Sequence, residues 1–412
     1  MDTSKLQERF SEIKDKVELK KRLFREMLLR TYIEEPGKVV QMVSTPRELC
    51  QEITRKLKEN CDLCGKIILT MNIEFLEFLV GCGASEIWFY ADNEAKKNFV
   101  MKWYKGCKKD VIKVISGDFL SEGFQKYLED RAMKFSVIIG NPPYQPPVED
   151  KGGGGSGSRN TLWDKFVELS LELVEKDGYL CLVHPAKWRK PLDELGKRMK
   201  AKQFHYLEIH NANDGIKTFG AGTRYDWYIL QNTLATNSSI VKDELGEEHK
   251  IDLSKMDLIP NFDFELLEKV LAKPGCPKCE ILFSYKNYET RQEWMNEKQD
   301  NTFKYPCVTA TADKGVRLWY SSKKGEFFGI PKIIFSDAYQ VSNAVVDMGG
   351  KYAMTQHAMA IPISSQQEGE QMKQALESEK FNTFLKACRW SNFQIDWRMF
   401  QFFRKDFWKE FT

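Results

Sequence analysis

Between residues 66 and 184 the chain carries five apolar runs: KIILTM (66–71), EIWFYA (86–91), VIKVIS (111–116), FSVIIG (135–140) and YLCLVH (179–184). Helix-like segments separate the first four, and a longer stretch, 141–176, precedes the fifth. A strand covered by helices on both faces has no solvent side, so it reads as a nearly continuous apolar run. The repeated strand–helix rhythm therefore predicts an α/β fold, a doubly wound and mostly parallel sheet. Two further runs, FHYLEIH (204–210) and YDWYILQ (225–231), flank a glycine-containing loop and are placed to pair antiparallel, which makes seven strands.

On the N-terminal side, Leu6, Phe10, Ile13, Val17 and Leu19 give residues 1–32 the spacing of a charged amphipathic helix. A turn at Pro36-Gly37 follows, and a second helix is expected after Ser44, with Thr45-Pro46 at its first turn and Glu48 as a capping-box acid. Within PPVEDKGGGGSGSRNTLW, the run of four glycines, with serines, cannot hold regular structure, so residues 149–160 are expected to form a mobile loop. It follows a strand end, which is where doubly wound sheets bind ligands. A linker is expected near 233–260, and from about 300 the strand–helix rhythm gives way to a separate α+β unit. The domains are accordingly read as 1–64, 65–235 and 236–412.

Composition narrows the class. With 29% charged and 42% hydrophobic residues, the 412-residue chain has enough apolar surface to fold, which excludes disorder as its main state. No run is long enough to cross a bilayer, and the first residues lack an apolar secretory core, so a cytoplasmic address and no membrane partner are expected. Ten cysteines without a signal segment read as reduced thiols. The net charge of +3 means that any nucleic-acid site must be a local basic patch.

The most specific motif is GNPPYQ, Gly140 to Gln145, directly after FSVIIG. Two prolines and an asparagine at a strand end forfeit sheet hydrogen bonds and form a rigid turn that presents its groups outward. Methylation of a planar amine needs such a turn. An exocyclic amino nitrogen delocalises its lone pair into the ring and is a poor nucleophile. The Asn141 side-chain oxygen and the Pro142 carbonyl can accept the two amino hydrogens and localise that lone pair, while Tyr144 stacks on the ring for in-line attack. Pro143 keeps the turn rigid.

These residues resemble the adenine-N6 DNA methyltransferases of restriction-modification systems, with the cofactor motif order running from the N-terminus, and most of all their phage and large-virus members. The resemblance covers residues 37–232 and implies a seven-stranded Rossmann-like methyltransferase sheet, S-adenosylmethionine as cofactor and duplex DNA as partner. It also implies a C-terminal target-recognition domain over 236–412, a separate cognate restriction endonuclease as a further partner, and a bacterial or virus-infected cell as the setting. VSTPRE, with Thr45, resembles the upstream motif whose threonine region contacts the methionine part of the cofactor. Asp92, at the second strand's end, is placed for the ribose hydroxyls, with a helix N-cap as the plainer reading. In GDFL (117–120), Asp118 would accept the cofactor's adenine amine and Phe119 would pack on its ring. TFGAGTRYDWYIL (218–230) resembles the family's eighth motif, in which Phe219 would contact a flipped base opposite Tyr144, or else be a hydrophobic turn residue. Lys187 and Trp188 are expected to line the substrate cleft, and loop 149–160 to act as a lid or a DNA contact.

One motif departs from the pattern. The family's first strand ends in a glycine-containing loop; here KIILTM runs into NIEFLEFLV, and Asn72 and Glu74 take the expected place. Asn72 is read as a replacement contact to the cofactor's methionine moiety, with poor cofactor affinity as the alternative. Cys61-x2-Cys64 and Cys276-x2-Cys279 have metal-like spacing but no nearby histidine, so they are read as thiols and no metal is assigned. The aromatic, basic tail 381–411 is read as a helix pair closing a C-terminal core, with Lys323, Lys324, Lys332 and Lys351 as looser phosphate candidates. Rival readings are an RNA or protein-glutamine methyltransferase and a non-catalytic DNA-binding subunit.

Overall fold

The computed structural model describes residues 44–104, 111–145, 161–312, 314–391 and 394–412. The helix expected over 1–32 and the loop 149–160 lie outside these residues. All seven expected strands form: β1 (Ile67–Thr70), β2 (Glu86–Ala91), β3 (Ile112–Ser116), β4 (Phe135–Gly140), β5 (Val174–Pro185), β6 (Lys202–His210) and β7 (Tyr225–Leu234). They lie in the order β3-β2-β1-β4-β5-β7-β6. The first five are parallel, and β7 runs antiparallel to both β5 and β6.

Side-chain alternation sorts the apolar residues onto two faces. Leu69, Ile138, Leu180 and Leu182 point into one core with helices α4 (Glu122–Glu129), α5 (Trp163–Leu173) and α6 (Glu194–Lys200). Ile68, Val137, Ile139, Cys181 and Val183 point into the other, with α1 (Arg47–Asn60), α2 (Ile73–Leu79) and α3 (Glu94–Trp103). Burying each large apolar side chain contributes roughly 1.5–3 kcal/mol, so a one-residue slip of any central strand would cost several such contributions. α1 begins at Arg47 with Pro46 in the N-cap place and no side-chain cap, so the expected capping box is absent. The Thr45 hydroxyl is engaged elsewhere, as described below.

The sheet does not end at residue 235. β8 (Ser239–Lys242) pairs parallel with β6, and β9 (Glu248–Ile251) pairs antiparallel with β8, giving nine strands. Val241, Leu253, Ile259 and Phe264, the last at the start of α8 (Phe264–Val270), join the core of the first seven. The expected linker is therefore structured, and the expected 235/236 boundary cuts a continuous sheet. SIVK and EHKI are only four residues long, and EHKI buries none of its residues, so they carry too few apolar residues to read as strands.

The C-terminal half is α+β as expected. One sheet has the order β10-β12-β11-β15, built from Met295–Asn296, Gly315–Ser321, Tyr305–Ala312 and Ala353–Met354. The other has the order β14-β13-β16, from Val345–Asp347, Lys332–Ser336 and Ala358–Pro362. Helices α9 (Gln366–Glu377) and α10 (Glu379–Ala387) cover it. Phe381, Phe384, Phe400, Phe403, Phe407 and Phe411 fill the C-terminal core, which bears out the core reading of the tail. In place of a helix pair, α10 is followed by two 3₁₀ turns, Trp397–Phe402 and Phe407–Phe411.

A buried polar junction joins the halves. Arg189 forms an ion pair with Asp226 at 2.8 Å and donates to the carbonyls of Ile259 and Pro260 and to Asn261 Oδ1. Asn261 Nδ2 in turn donates to the carbonyls of Lys386 and Arg389, at the end of α10. Among the described residues no helix is long and apolar enough to cross a membrane.

Candidate active site at the carboxyl edge of the sheet

Strand order reverses between β1 and β4: the chain builds β2 and β3 on one side of β1, then returns to place β4 on the other. In doubly wound sheets the ligand crevice lies at the carboxyl ends of the strands at such a point. Asn72 follows β1 and Asn141 follows β4. The Asn141 backbone N–H donates to Asn72 Oδ1 at 2.6 Å, and Asn72 Nδ2 donates back to the Asn141 carbonyl at 3.4 Å. Gly140 is required by this approach, because a Cβ there would stand 3.1 Å from both Asn72 Oδ1 and Met71 Cβ.

The side chain of Asn141 is wholly buried. Its Nδ2 donates to Thr45 Oγ1 at 3.2 Å, while its Oδ1 accepts no hydrogen bond. Thr45 is held in place by its neighbours. Ser44 Oγ donates to Glu74 Oε1 at 2.6 Å, and Arg47 forms a bidentate pair with Glu77. Pro142 and Pro143 are buried beside it, and Tyr144 is half buried against the α5 face of the sheet. The Tyr144 hydroxyl is enclosed without a partner, and burial, with Tyr225 and Asp226 nearby, drives its ionisation far above the ordinary phenol range.

Because β7 is antiparallel, its first residues lie at this same edge, with Tyr225 opposite Pro185 and His210 and Asp226 opposite His184. Phe219, at the end of α7 (Ala212–Phe219), packs edge-on against Tyr225 at 4.9 Å. The His210 ring stacks on Tyr225 at 4.3 Å. Burial pushes the Tyr225 phenol up to about 12. Asp226 accepts from Trp188 Nε1 and Arg189 Nε, both at 2.8 Å, while its Oδ1 has no partner. Sequence reasoning missed Tyr225, Asp226 and Arg189. The available signal was an acid inside the apolar run YDWYIL, since a charge in a buried strand must be paired.

Asp92 lies just past β2, and the Lys96 ammonium sits 2.8 Å from its carboxylate. Its Oδ1, although in ionic contact, accepts no hydrogen bond. The cap of α3 is Asn93, not Asp92. Past β3, Asp118 is exposed, and its Oδ1 accepts from the Leu120 N–H. The Tyr90 hydroxyl staples this turn, donating to the Gly117 carbonyl and accepting from the Phe119 N–H.

Two expected site residues belong to the core. The Phe119 ring is buried, stacked on Phe166 at 4.9 Å and edge-on to Tyr90, so neither face is open to a ligand. Trp188 is buried and stacked on Phe204 at 5.5 Å. It follows a strand end, but its indole points into the sheet. Lys187, one residue earlier, is half buried in the 3₁₀ turn Ala186–Arg189, where burial and the neighbouring Lys190 lower its pKa. Thr45, Asn72 and Asn141 meet directly; Asp92 and Asp118 follow along the edge; Tyr144 and Phe219 both neighbour Tyr225.

In both cysteine pairs one thiol is buried and one exposed, and burial raises Cys61 and Cys279, the latter to about 12. Among the described residues no group of three or more His, Cys, Asp or Glu is placed to hold a metal ion. Lys332 is no phosphate contact, because it is buried with its ammonium on Asp347 and two carbonyls.

Residues 53–219 match the family of Eco57I restriction-modification methylases. Over 95 residues the chain is 39% identical to an uncharacterised adenine-specific methylase of Mycoplasma pneumoniae, a match covering 23% of this chain and 22% of that protein. The chain thus spans under a quarter of that relative's length. Among solved structures, one described as a class I S-adenosylmethionine-dependent methyltransferase from Listeria monocytogenes aligns over 53% of this chain and 72% of its own, at 12% identity and a TM-score of 0.39. A type I restriction enzyme modification subunit from Vibrio vulnificus aligns over 54% and 50%, at 13% identity and a TM-score of 0.39. The motif-based resemblance to restriction-modification adenine methylases is borne out over residues 53–219.

Proposed function

We propose that this chain is a DNA methyltransferase that transfers a methyl group from S-adenosylmethionine to adenine N6 in duplex DNA, with the target base rotated out of the helix. One observation carries the reading. At the carboxyl edge of one sheet, the acceptors Asn141 Oδ1 and Asp226 Oδ1 are buried without hydrogen-bond partners. Leaving a buried acceptor unmade costs about 1–3 kcal/mol, and folded proteins carry few of them. Two along one ligand-binding edge mark groups that a ligand completes.

The residues fit the cofactor in part. Asp92 at the end of β2 suits the ribose hydroxyls, and Asp118 at the end of β3 suits the adenine amine, but Phe119 offers no ring face to it. When bound, S-adenosylmethionine supplies an electrophilic methyl group. Asn141 Oδ1, together with the Pro142 carbonyl, accepts the hydrogens of the target amine and localises its lone pair. Tyr144 and Phe219, gathered near Tyr225, hold the ring from opposite sides. Burial of the Asn141 amide away from water strengthens its polarisation of the amine. The C-terminal half serves target recognition, Lys187 reaches a phosphate, and a separate cognate endonuclease acts on the unmethylated site.

The test is incubation of unmethylated duplex DNA with the protein and isotopically labelled S-adenosylmethionine, followed by nucleoside mass spectrometry. Labelled N6-methyldeoxyadenosine is expected with the wild type and not with Asn141→Ala. Label in RNA or protein glutamine instead would overturn the substrate assignment, and no label in any of them would overturn the enzyme.

A further inference from the structure

We infer that Asn72 and Thr45 are positioning residues for Asn141: a two-part brace that holds the catalytic loop in place of the glycine-rich loop this sequence lacks. The inference rests on the reading above that Asn141 accepts the target amine.

The β1–β4 ladder ends at Thr70 opposite Ile139, with one further bond from the Met71 N–H to the Ile139 carbonyl at 3.4 Å. Beyond that the β1 main chain turns into α2, where the Asn72 carbonyl accepts from Phe75 N–H. The next rung of a parallel ladder would take the Asn141 N–H to the Met71 carbonyl, but that N–H goes to Asn72 Oδ1 instead. The Asn72 side chain supplies the missing rung, because its amide carries an acceptor and a donor in one plane, as a peptide group does, and uses both on Asn141. A glycine at this place could not do so.

Thr45 acts on the other end of Asn141. By accepting from Nδ2 it anchors that end of the amide, and Oδ1 is the acceptor left without a partner. Both halves of the brace are tied to α2: Asn72 stands at its start, Glu74 holds Ser44, and Glu77 holds Arg47, on either side of Thr45-Pro46. The Asn72 amide is thereby engaged with the loop, where the family pattern implies a cofactor contact.

The test compares Thr45→Val, Thr45→Ser, Asn72→Ala and Asn72→Asp with the wild type. It measures single-turnover methyl transfer at saturating cofactor, S-adenosylhomocysteine affinity by calorimetry, and hydrogen exchange of a peptide spanning 135–145. A misplaced reacting group costs up to about 100-fold, so Thr45→Val is expected to slow the chemical step about 10- to 100-fold. Its ligand affinity is expected to stay within about threefold, and Thr45→Ser to restore the rate. Asn72→Ala is expected to slow the step at least as much and to speed exchange at Asn141, with Asn72→Asp between it and the wild type. Affinity lost in step with kcat/KM, at an unchanged single-turnover rate, would make these residues cofactor ligands and overturn the brace. Should Asn72→Ala fail to fold, the Thr45 pair decides alone. A wild type that methylates nothing overturns the enzyme reading; the brace is then judged by exchange in Asn72→Ala, and unchanged protection at Asn141 overturns it.

Discussion

Asn141 and Lys332 are both buried polar residues in apolar surroundings, and their surroundings differ in kind. Lys332 uses all three ammonium donors, on Asp347 Oδ2 and the carbonyls of Phe327 and Ile330. Asp347 is completed by the backbone N–H groups of Lys351 and Tyr352. Asn141 keeps its strongest acceptor unused, within an edge that holds a second incomplete acceptor, Asp226 Oδ1. A closed network holds a fold together, whereas an open one waits for a ligand. The difference is one of hydrogen-bond accounting, and depth of burial does not reveal it.

The comparison breaks most directly at its closed end. Asp347→Ala strands the Lys332 charge in the core and is expected to cost about 3–5 kcal/mol in denaturant unfolding. Next in size, Asn141→Ala is expected to lower methyl transfer by about 10²–10³-fold or more, as loss of one preorganised polar group does. Its cost in the same unfolding experiment is expected to be only about 1 kcal/mol, for the bond to Thr45. If Asn141→Ala destabilised the chain as much as Asp347→Ala, the edge would be structural and the contrast would fail.

His184 sharpens the contrast, because it lies at the open edge yet is closed. Its Nε2 lies 3.0 Å from the Tyr228 hydroxyl and its Nδ1 3.1 Å from the Pro185 carbonyl, and Trp163 stacks on its ring. Burial lowers its pKa from 6.5 to about 4. Above pH 6.5 both folded and unfolded forms are neutral. As pH falls toward 4 the unfolded chain takes up a proton that the folded chain refuses, so stability drops by up to about 3 kcal/mol. Unfolding measured between pH 7 and 4 is expected to show this loss, and His184→Gln to remove that component. The smallest expected effect is at Phe219. Phe219→Ala is expected to lose about 1–2 kcal/mol of transition-state binding, since base–aromatic contacts contribute about 1–3 kcal/mol. A pre-steady-state rate within error of the wild type would make Phe219 a packing residue of Tyr225.

Legibility followed the same physics. The seven central strands were readable because burial on both faces demands unbroken apolar runs, as in FSVIIG. SIVK and EHKI were not, because each is only four residues long and EHKI, at the sheet edge, buries none of them, so both look like linker. The Asn-Pro-Pro-Tyr turn stood out because its chemistry is local. Trp188 was misread because a place just past a strand end does not tell which way an indole points. Tyr225, Asp226, Arg189 and Asn261 escaped because their meaning exists only in pairs far apart in the chain, such as Arg189 with Asn261. Asn72 was noticed as an anomaly, but its partner lies 69 residues away.

The Arg189–Asn261 junction bears on how such a chain can be cut and recombined. A crossover at residue 235 would split the nine-stranded sheet and leave β8 without β6. A crossover just after Asn261 would leave the sheet whole, but Asn261 would then need carbonyls placed like those of Lys386 and Arg389 in any incoming segment. The exchangeable unit therefore begins past residue 261, and its passport is the backbone at the end of one helix together with Trp390, whose indole N–H donates to the Ile259 carbonyl.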